Sequence, residues 1–135
     1  MENRTSSDNI VNRKIPNEIF VFGSNESGRH GKGAAKTALG WGAKWGQAAG
    51  LQGRSYGIPT KDKSVQRTLT VREIKPYVDD FIEFAKQNPQ LVFLVTEIGC
   101  GLAGLKPKDI APLFQEAINV ENIHLPSRFW HKLNK

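Results

Sequence analysis

Two glycine-rich turns, each directly after a short apolar run, constrain this sequence more than any other feature. Residues 19–22 form the first apolar run and lead into a turn at 23–33, while residues 91–96 lead into a second turn at 99–104. A continuous apolar run that stops at glycine is typical of a strand buried on both faces. Because helical spacing follows both turns, the pattern predicts an α/β fold with helices on both faces of a sheet.

Further elements follow from local signals. Ala34, Ala38, Trp41 and Trp45 recur at helical spacing and predict a helix after the first turn. Thr70 begins a T-x-x-E capping box that predicts the start of a second helix. We also expect a short strand at 55–58 that Pro59 ends, a helix at 107–118 and a last strand at 123–125. In such folds ligands bind at the carboxyl ends of the strands, where both turns lie.

The chain has 135 residues, about one domain. Residues 1–17 are polar and aperiodic and predict a flexible N-terminal tail, so the domain is expected at 18–135. One cysteine and three scattered histidines predict neither a disulfide framework nor a metal site, and no cofactor is expected. Without an apolar run of about 18 residues or a signal-peptide core, we expect a cytoplasmic protein with no membrane partner.

The positive charge is concentrated in one segment. The net charge is +6, yet residues 28–72 contain nine Lys and Arg against Asp62 alone, so this segment carries +8 and the remainder −2. Such an excess predicts an anionic partner that meets the first half of the domain.

Glycine-rich turns after strands suit phosphate binding, because their backbone N–H groups approach an anion closely. Gly31-Lys32 is followed by Gly33-Ala34 rather than by Ser or Thr, so the first turn is not a Walker A loop, nor does it fit G-x-G-x-x-G. Two such turns favour a ligand with two phosphates, such as a dinucleotide. The alternative for each is a tight turn with close helix packing.

Two reactive side chains belong to these turns. His30 lies beside the first turn, where it contacts a phosphate or ribose or is a loop surface residue. Cys100 lies in the second turn, and no histidine is identifiable as its base, so packing under the loop is favoured over nucleophilic catalysis. Trp41 and Trp45 are expected in the core, with stacking on a base as the alternative.

Gly23-Ser24-Asn25 after an apolar strand, Gly-Lys-Gly-Ala-Ala at 31–35 and Leu-Val-Thr-Glu-Ile-Gly-Cys-Gly-Leu at 94–102 resemble the two ligand loops of macro domains. These modules bind ADP-ribose and related nucleotides. The string Ile-Gly-Cys-Gly-Leu is most similar to the terminal ADP-ribose protein glycohydrolase subgroup and to small bacterial and phage macro-like proteins. The resemblance covers about residues 19–125. It implies a three-layer α/β/α domain with a mixed sheet.

The resemblance also implies roles for single residues. Asn25 matches an asparagine that contacts the distal ribose, and Lys61 resembles the lysine that attacks the distal ribose carbon in the glycohydrolase subgroup. The resemblance therefore gives Lys61 and Asn25 as the candidate catalytic residues. Ala103 stands where that subgroup has its assisting acid, which favours a binder over a hydrolase. The expected ligand-binding residues are Gly23, Ser24, Asn25, His30, Gly31, Lys32, Gly33, Ala34, Gly99, Cys100, Gly101, Leu102, Ala103 and Gly104.

Two functions are therefore expected. The first is binding of an ADP-ribose-type nucleotide, free or attached to a modified protein or nucleic acid, with removal of the ADP-ribose as a further activity. The second is a basic nucleic-acid-binding module without catalysis, which the +8 segment and its two tryptophans motivate.

Overall fold

Six strands form one mixed sheet in the computed structural model, which describes residues 4–6 and 16–133. The strands are β1 (Thr5–Ser6), β2 (Glu18–Asn25), β3 (Gly50–Gln52), β4 (Ser55–Lys61), β5 (Val92–Val95) and β6 (Ile123–Pro126). Their order across the sheet is β1-β6-β5-β2-β4-β3. All neighbouring pairs are parallel except β3 with β4, so β2 lies in the interior between β5 and β4.

Helices complete this small α/β domain. They are α1 (Gly33–Leu39), α2 (Val71–Gln87), α3 (Pro107–Ile110) and α4 (Ser127–Leu133), with a 3-10 helix at Ala111–Asn119. The predicted capping box is confirmed: the Thr70 hydroxyl accepts from the Glu73 N–H, and the Glu73 carboxylate accepts from the Thr70 N–H. Among the described residues, no helix combines the length and apolarity needed to cross a membrane.

Hydrophobic side chains of the sheet enter two separate clusters. Alternate residues of β2 divide between them: Ile19 and Val21 join a large cluster with α2, the 3-10 helix and α4, whereas Phe20 and Phe22 pack with α1. Period-two alternation in a strand sends successive side chains to opposite faces, so a strand apolar at every position must be covered on both. The sequence prediction of a doubly buried first strand is confirmed.

The N-terminal residues that the structure describes differ from the predicted flexible tail. Thr5 and Ser6 pair in parallel with Leu125 and Pro126 of β6, and Arg4 is buried. Backbone pairing and side-chain burial fix these residues to the sheet edge. Residues 1–3 and 7–15, the rest of the predicted tail except Pro16 and Asn17, lie outside the described residues.

Several predicted boundaries are wrong for identifiable reasons. The first helix ends at Leu39, because the chain turns through Gly40 and Gly42, and Gly42 has a φ of +100°. The strand predicted to end at Pro59 continues to Lys61, since β3 pairs only with residues 55–57 and β4 is an edge strand beyond them, where proline is tolerated. The third helix changes to 3-10 geometry at Ala111, beside Pro112.

Candidate functional site

The two glycine-rich turns lie side by side at the carboxyl ends of two neighbouring strands. We call residues 26–32 loop 1, which joins β2 to α1, and residues 96–106 loop 2, which joins β5 to α3. Because β2 and β5 are parallel neighbours, both loops begin at the same end of the sheet, where these strands end. A Cβ placed on Gly33 would lie 3.3 Å from Leu102 Cδ1, and one placed on Gly23 would lie 3.5 Å from the Gly99 nitrogen. The end of β2 and the start of α1, which flank loop 1, therefore lie close to loop 2.

Asn25 organises loop 1 through its side chain. Its Oδ1 accepts hydrogen bonds from the Ser27 hydroxyl at 2.8 Å and the Arg29 N–H at 2.9 Å, and its Nδ2 donates to the Arg29 carbonyl at 2.8 Å. The amide thus closes a turn of the chain upon itself. Ser24, the preceding residue, is buried and donates its hydroxyl to the Ala48 carbonyl. One of the two Asn25 Nδ2 protons has no acceptor among the described residues.

His30 is fully buried, so the surface-residue alternative is wrong. Its Nε2 lies 2.9 Å from the Lys44 carbonyl, which requires Nε2 to donate, and its ring packs edge-on against Phe22 at 5.3 Å. Its Nδ1 has no hydrogen-bond partner among the described residues. The side chain therefore ties loop 1 to residues 44–52, and no part of the ring is exposed to a ligand in this structure.

The remaining residues of the first turn are mostly exposed, and their backbone N–H groups have no hydrogen-bond partner among the described residues. Gly31, Lys32 and Gly33 are exposed and Ala34 is half-buried, at the start of α1. Within the described part of the chain, no acceptor pairs with the backbone N–H groups of residues 31–34. Helix starts leave such donors free, because no preceding turn supplies their acceptors.

Loop 2 contains a second series of unpartnered donors. Hydrogen bonds from Leu105 N–H to the Gly99 carbonyl at 2.7 Å and from Gly104 N–H to the Gly101 carbonyl at 3.0 Å fold the loop back on itself. Gly99 and Gly104 have φ of +77° and +82°, which favour glycine. The N–H groups of residues 101–103 have no acceptor among the described residues. Such a turn forms a concave set of donors suited to an anion.

Cys100 is half-buried in loop 2 and packs against the larger hydrophobic cluster. Burial, together with the nearby charge of Glu97, raises the pKa of its thiol to about 11. At neutral pH the group is therefore a protonated thiol rather than a nucleophilic thiolate. This agrees with the packing role that the sequence favoured.

The register of the sheet places Lys61 beside Asn25. The two residues are Cα partners across β4 and β2, after a register shift at Ser24 and Asn25. The Glu26 N–H then donates to the Lys61 carbonyl at 2.9 Å. Both residues that the resemblance placed near the distal ribose thus lie at the end of adjacent strands, next to the two loops.

Three carboxylates follow the ends of β2, β4 and β5, and each is held by another side chain. Glu26 accepts from the Tyr77 hydroxyl at 2.7 Å, and this bond raises the pKa of Tyr77 to about 12. Glu97 accepts from Arg128. A hydrogen bond from Ser64 lowers the pKa of Asp62, so that side chain stays ionised at neutral pH. At the acid position, the Ala103 carbonyl accepts from the Thr68 hydroxyl at 2.7 Å.

Exposed apolar side chains border the loops. Trp45 is 63% exposed and packs edge-on against His30, so its predicted place in the core is wrong, while Trp41 is buried as predicted. Leu102 is 66% exposed at the tip of loop 2. Their spacing predicted that both tryptophans lie on one helix face, but α1 ends at Leu39, before either of them. The glycines after Leu39 are the only signal in the sequence that the two side chains have different environments.

No protein-family model matches the chain, and neither the curated proteins nor the solved structures contain a significant match to it. Among the described residues, no three His, Cys, Asp or Glu side chains are grouped to hold a metal ion. The case for a function therefore rests on the geometry of the two loops.

Proposed function

We propose that the protein binds an ADP-ribose-type, NAD-derived nucleotide between loop 1 and loop 2. The observation that carries the proposal is the adjacency of two sets of unpartnered backbone donors, at 31–34 and at 101–103, on segments that approach each other where a Cβ on Gly33 would lie 3.3 Å from Leu102 Cδ1. A diphosphate presents acceptors to two neighbouring donor sets, whereas one phosphate needs only one. The helices on both sheet faces support the three-layer, macro-like arrangement that the sequence resemblance implies.

Charge at the loops favours the same class of ligand. Arg29 and Lys32 are exposed on loop 1, and neither has a carboxylate partner among the described residues. Cations without counter-charges attract an anion and raise the rate at which it associates. By contrast, Arg67, in the same positive segment, is paired with Glu73 at 2.9 Å and therefore contributes less to the attraction of an anion.

The ribose end of the ligand would meet the ends of β2 and β4. Asn25 retains one Nδ2 proton for a hydroxyl, and Lys61 lies beside it in register. Trp45, exposed next to Gly31, offers an aromatic face at the margin of loop 1. His30 is assigned a structural role, because its ring is fully buried.

Gly101→Glu is expected to weaken ADP-ribose binding at least tenfold, about 1.4 kcal/mol. The new carboxylate would lie on loop 2 among the proposed phosphate donors and repel the diphosphate. A Cβ at Gly101 meets no atom within 4 Å and the residue has no positive φ, so the fold should tolerate the change. Titration calorimetry of wild type and variant with ADP-ribose measures the effect.

Gln90→Glu is the matched control for this experiment, since it adds the same charge at an exposed position just before β5, at the opposite end of that strand from loop 2. We expect its ADP-ribose affinity to equal that of wild type. Equal affinity for all three proteins, or no heat from wild type at millimolar ADP-ribose, would refute the proposed cleft.

The proposal is binding without hydrolysis. Ala103 supplies no acid at the position that the resemblance assigns to one. The carboxylates near the loops are either hydrogen-bonded to Tyr77 and Arg128 or, in Asp62, held in the ionised form. A general acid must carry a proton at the working pH.

Wild type and Lys61→Ala are therefore expected to release equal, background amounts of ADP-ribose from a modified protein or oligonucleotide. Release is followed by chromatography of free ADP-ribose over several hours, with binding of the modified substrate recorded in parallel. Release by wild type that Lys61→Ala abolishes would instead assign hydrolysis to this lysine.

A further inference from the structure

A basic cavity lies between the end of loop 2 and α4. Its volume is about 620 Å³, and residues 106–108 and α4 line it. No carboxylate is among its lining residues. Its basic side chains are Lys106, Lys108, Arg128, His131 and Lys132.

The helix α4 explains why several of these groups meet. Arg128, His131 and Lys132 stand at i, i+3 and i+4, a spacing that places them on one helix face. Phe129 and Trp130 are buried and fix the opposite side of the helix in the core. The basic face is therefore held by packing rather than formed by mobile side chains alone.

Most of this charge is uncompensated. Arg128 bonds to the Glu97 carboxylate, but Lys106, Lys108 and Lys132 have no carboxylate within ion-pair distance in the part of the chain that the structure describes. Like charges gathered in a concave wall repel one another, and an anion in the cavity relieves that repulsion.

The position of the cavity indicates the form of the anion. Lys106, the last residue of loop 2, lines the cavity, and Glu97 near the start of the loop accepts from Arg128, so loop 2 borders the cavity. Beyond the cleft, loop 1 exposes Arg29 and Lys32. Cations both at the cavity and on loop 1 suit an anion whose charge repeats along its length.

We infer that this cavity binds the phosphodiester backbone of a nucleic acid. Lysines serve as point charges for phosphate oxygens, and contacts to phosphates carry no information about the base sequence. The inference goes beyond the proposed nucleotide ligand and does not require it, because the cavity and the cleft use different residues.

The double variant Lys108→Gln/Lys132→Gln tests the inference by fluorescence anisotropy with a labelled single-stranded 20-nucleotide DNA. Loss of two phosphate contacts should weaken binding at least tenfold near 0.1 M salt and make the slope of log K against log salt shallower by about 1.4. The matched control, Lys75→Gln/Lys86→Gln on α2, removes the same charge from exposed positions and should bind within twofold of wild type.

Equal losses in the two double variants would show that only net charge matters and would overturn the assignment to the cavity. If a poly-glutamate peptide of matched length displaced the labelled DNA as well as unlabelled DNA does, the cavity would instead be assigned to an acidic protein. ADP-ribose calorimetry on the cavity variant should match wild type, so failure of the nucleotide cleft and failure of the cavity give different results.

Discussion

Arg4→Met is expected to lower the free energy of unfolding by about 3 kcal/mol, because it removes the charged hydrogen bonds that the Arg4 guanidinium donates to four backbone carbonyls. The Arg4 side chain is 9% exposed and donates to backbone carbonyls at 2.8–3.2 Å. These acceptors, at the end of the 3-10 helix and the start of β6, are the carbonyls of Ala117, Ile118, Val120 and Ile123.

Methionine keeps an unbranched side chain that fills much of the same volume, so the variant isolates the donors. Arg4 also stacks over the Trp130 ring at 5.0 Å, and the Trp130 Nε1–H donates to the Arg4 carbonyl at 2.9 Å. The backbone bond survives the substitution, while the cation–π contact is lost.

Urea denaturation measures this effect as a lower midpoint with an unchanged slope. The control is Arg72→Met, an exposed arginine on α2 that should change stability by less than about 0.5 kcal/mol. Arg4→Met with the stability of the Arg72→Met control would show that the hydrogen bonds of the Arg4 guanidinium do not stabilise the fold.

Arg4 also shows where sequence patterns stop being informative about this fold. Local signals suffice for β2, β5 and α2, because an apolar run or a capping box is complete within a few residues. Arg4 instead bonds to carbonyls 113–119 residues away, and its neighbours in the sequence are polar. Strand β3, with three residues, and α4, whose periodicity covers seven, are too short for a reliable local pattern.

For the candidate site, too, the sequence indicated some features and not others. The sequence indicated the glycines of both loops and their positions after β2 and β5, and in the structure the start of α1 lies close to Leu102 of loop 2. The burial of His30 could not be predicted from the sequence, because it depends on tertiary contacts of the ring with the Lys44 carbonyl and with Phe22. The pairing of Asn25 with Lys61 depends on a register shift, and register is a tertiary property.

Gly28→Ala is expected to lower the free energy of unfolding by about 2–5 kcal/mol and to weaken ADP-ribose binding in the molecules that remain folded. Gly28 has a φ of +73°, where alanine costs roughly 1–2 kcal/mol. A Cβ there would also lie 2.6 Å from the Gln47 nitrogen and 2.8 Å from the Gly46 Cα. Displacing packed backbone costs about 1–3 kcal/mol more.

This contact links stability to the site because it fixes loop 1 against the following segment. The Gly28 carbonyl accepts from the Gly46 N–H at 2.8 Å, and the Gly28 N–H donates to the Asn25 carbonyl at 3.0 Å. Separating the two segments would move Asn25 and the unpartnered donors at 31–34 away from loop 2. A ligand that needs both donor sets would then pay the cost of restoring their arrangement.

Gly31→Ala is the stability control, since Gly31 has no positive φ and a Cβ there would lie 3.9 Å from its nearest neighbour, on Trp45. We expect its unfolding midpoint in urea to match wild type. Calorimetry of Gly28→Ala at 10 °C, under conditions where circular dichroism shows it folded, then separates loop geometry from global stability. Full ADP-ribose affinity in a folded but destabilised Gly28→Ala protein would show that the site does not depend on the loop 1 conformation that Gly28 permits.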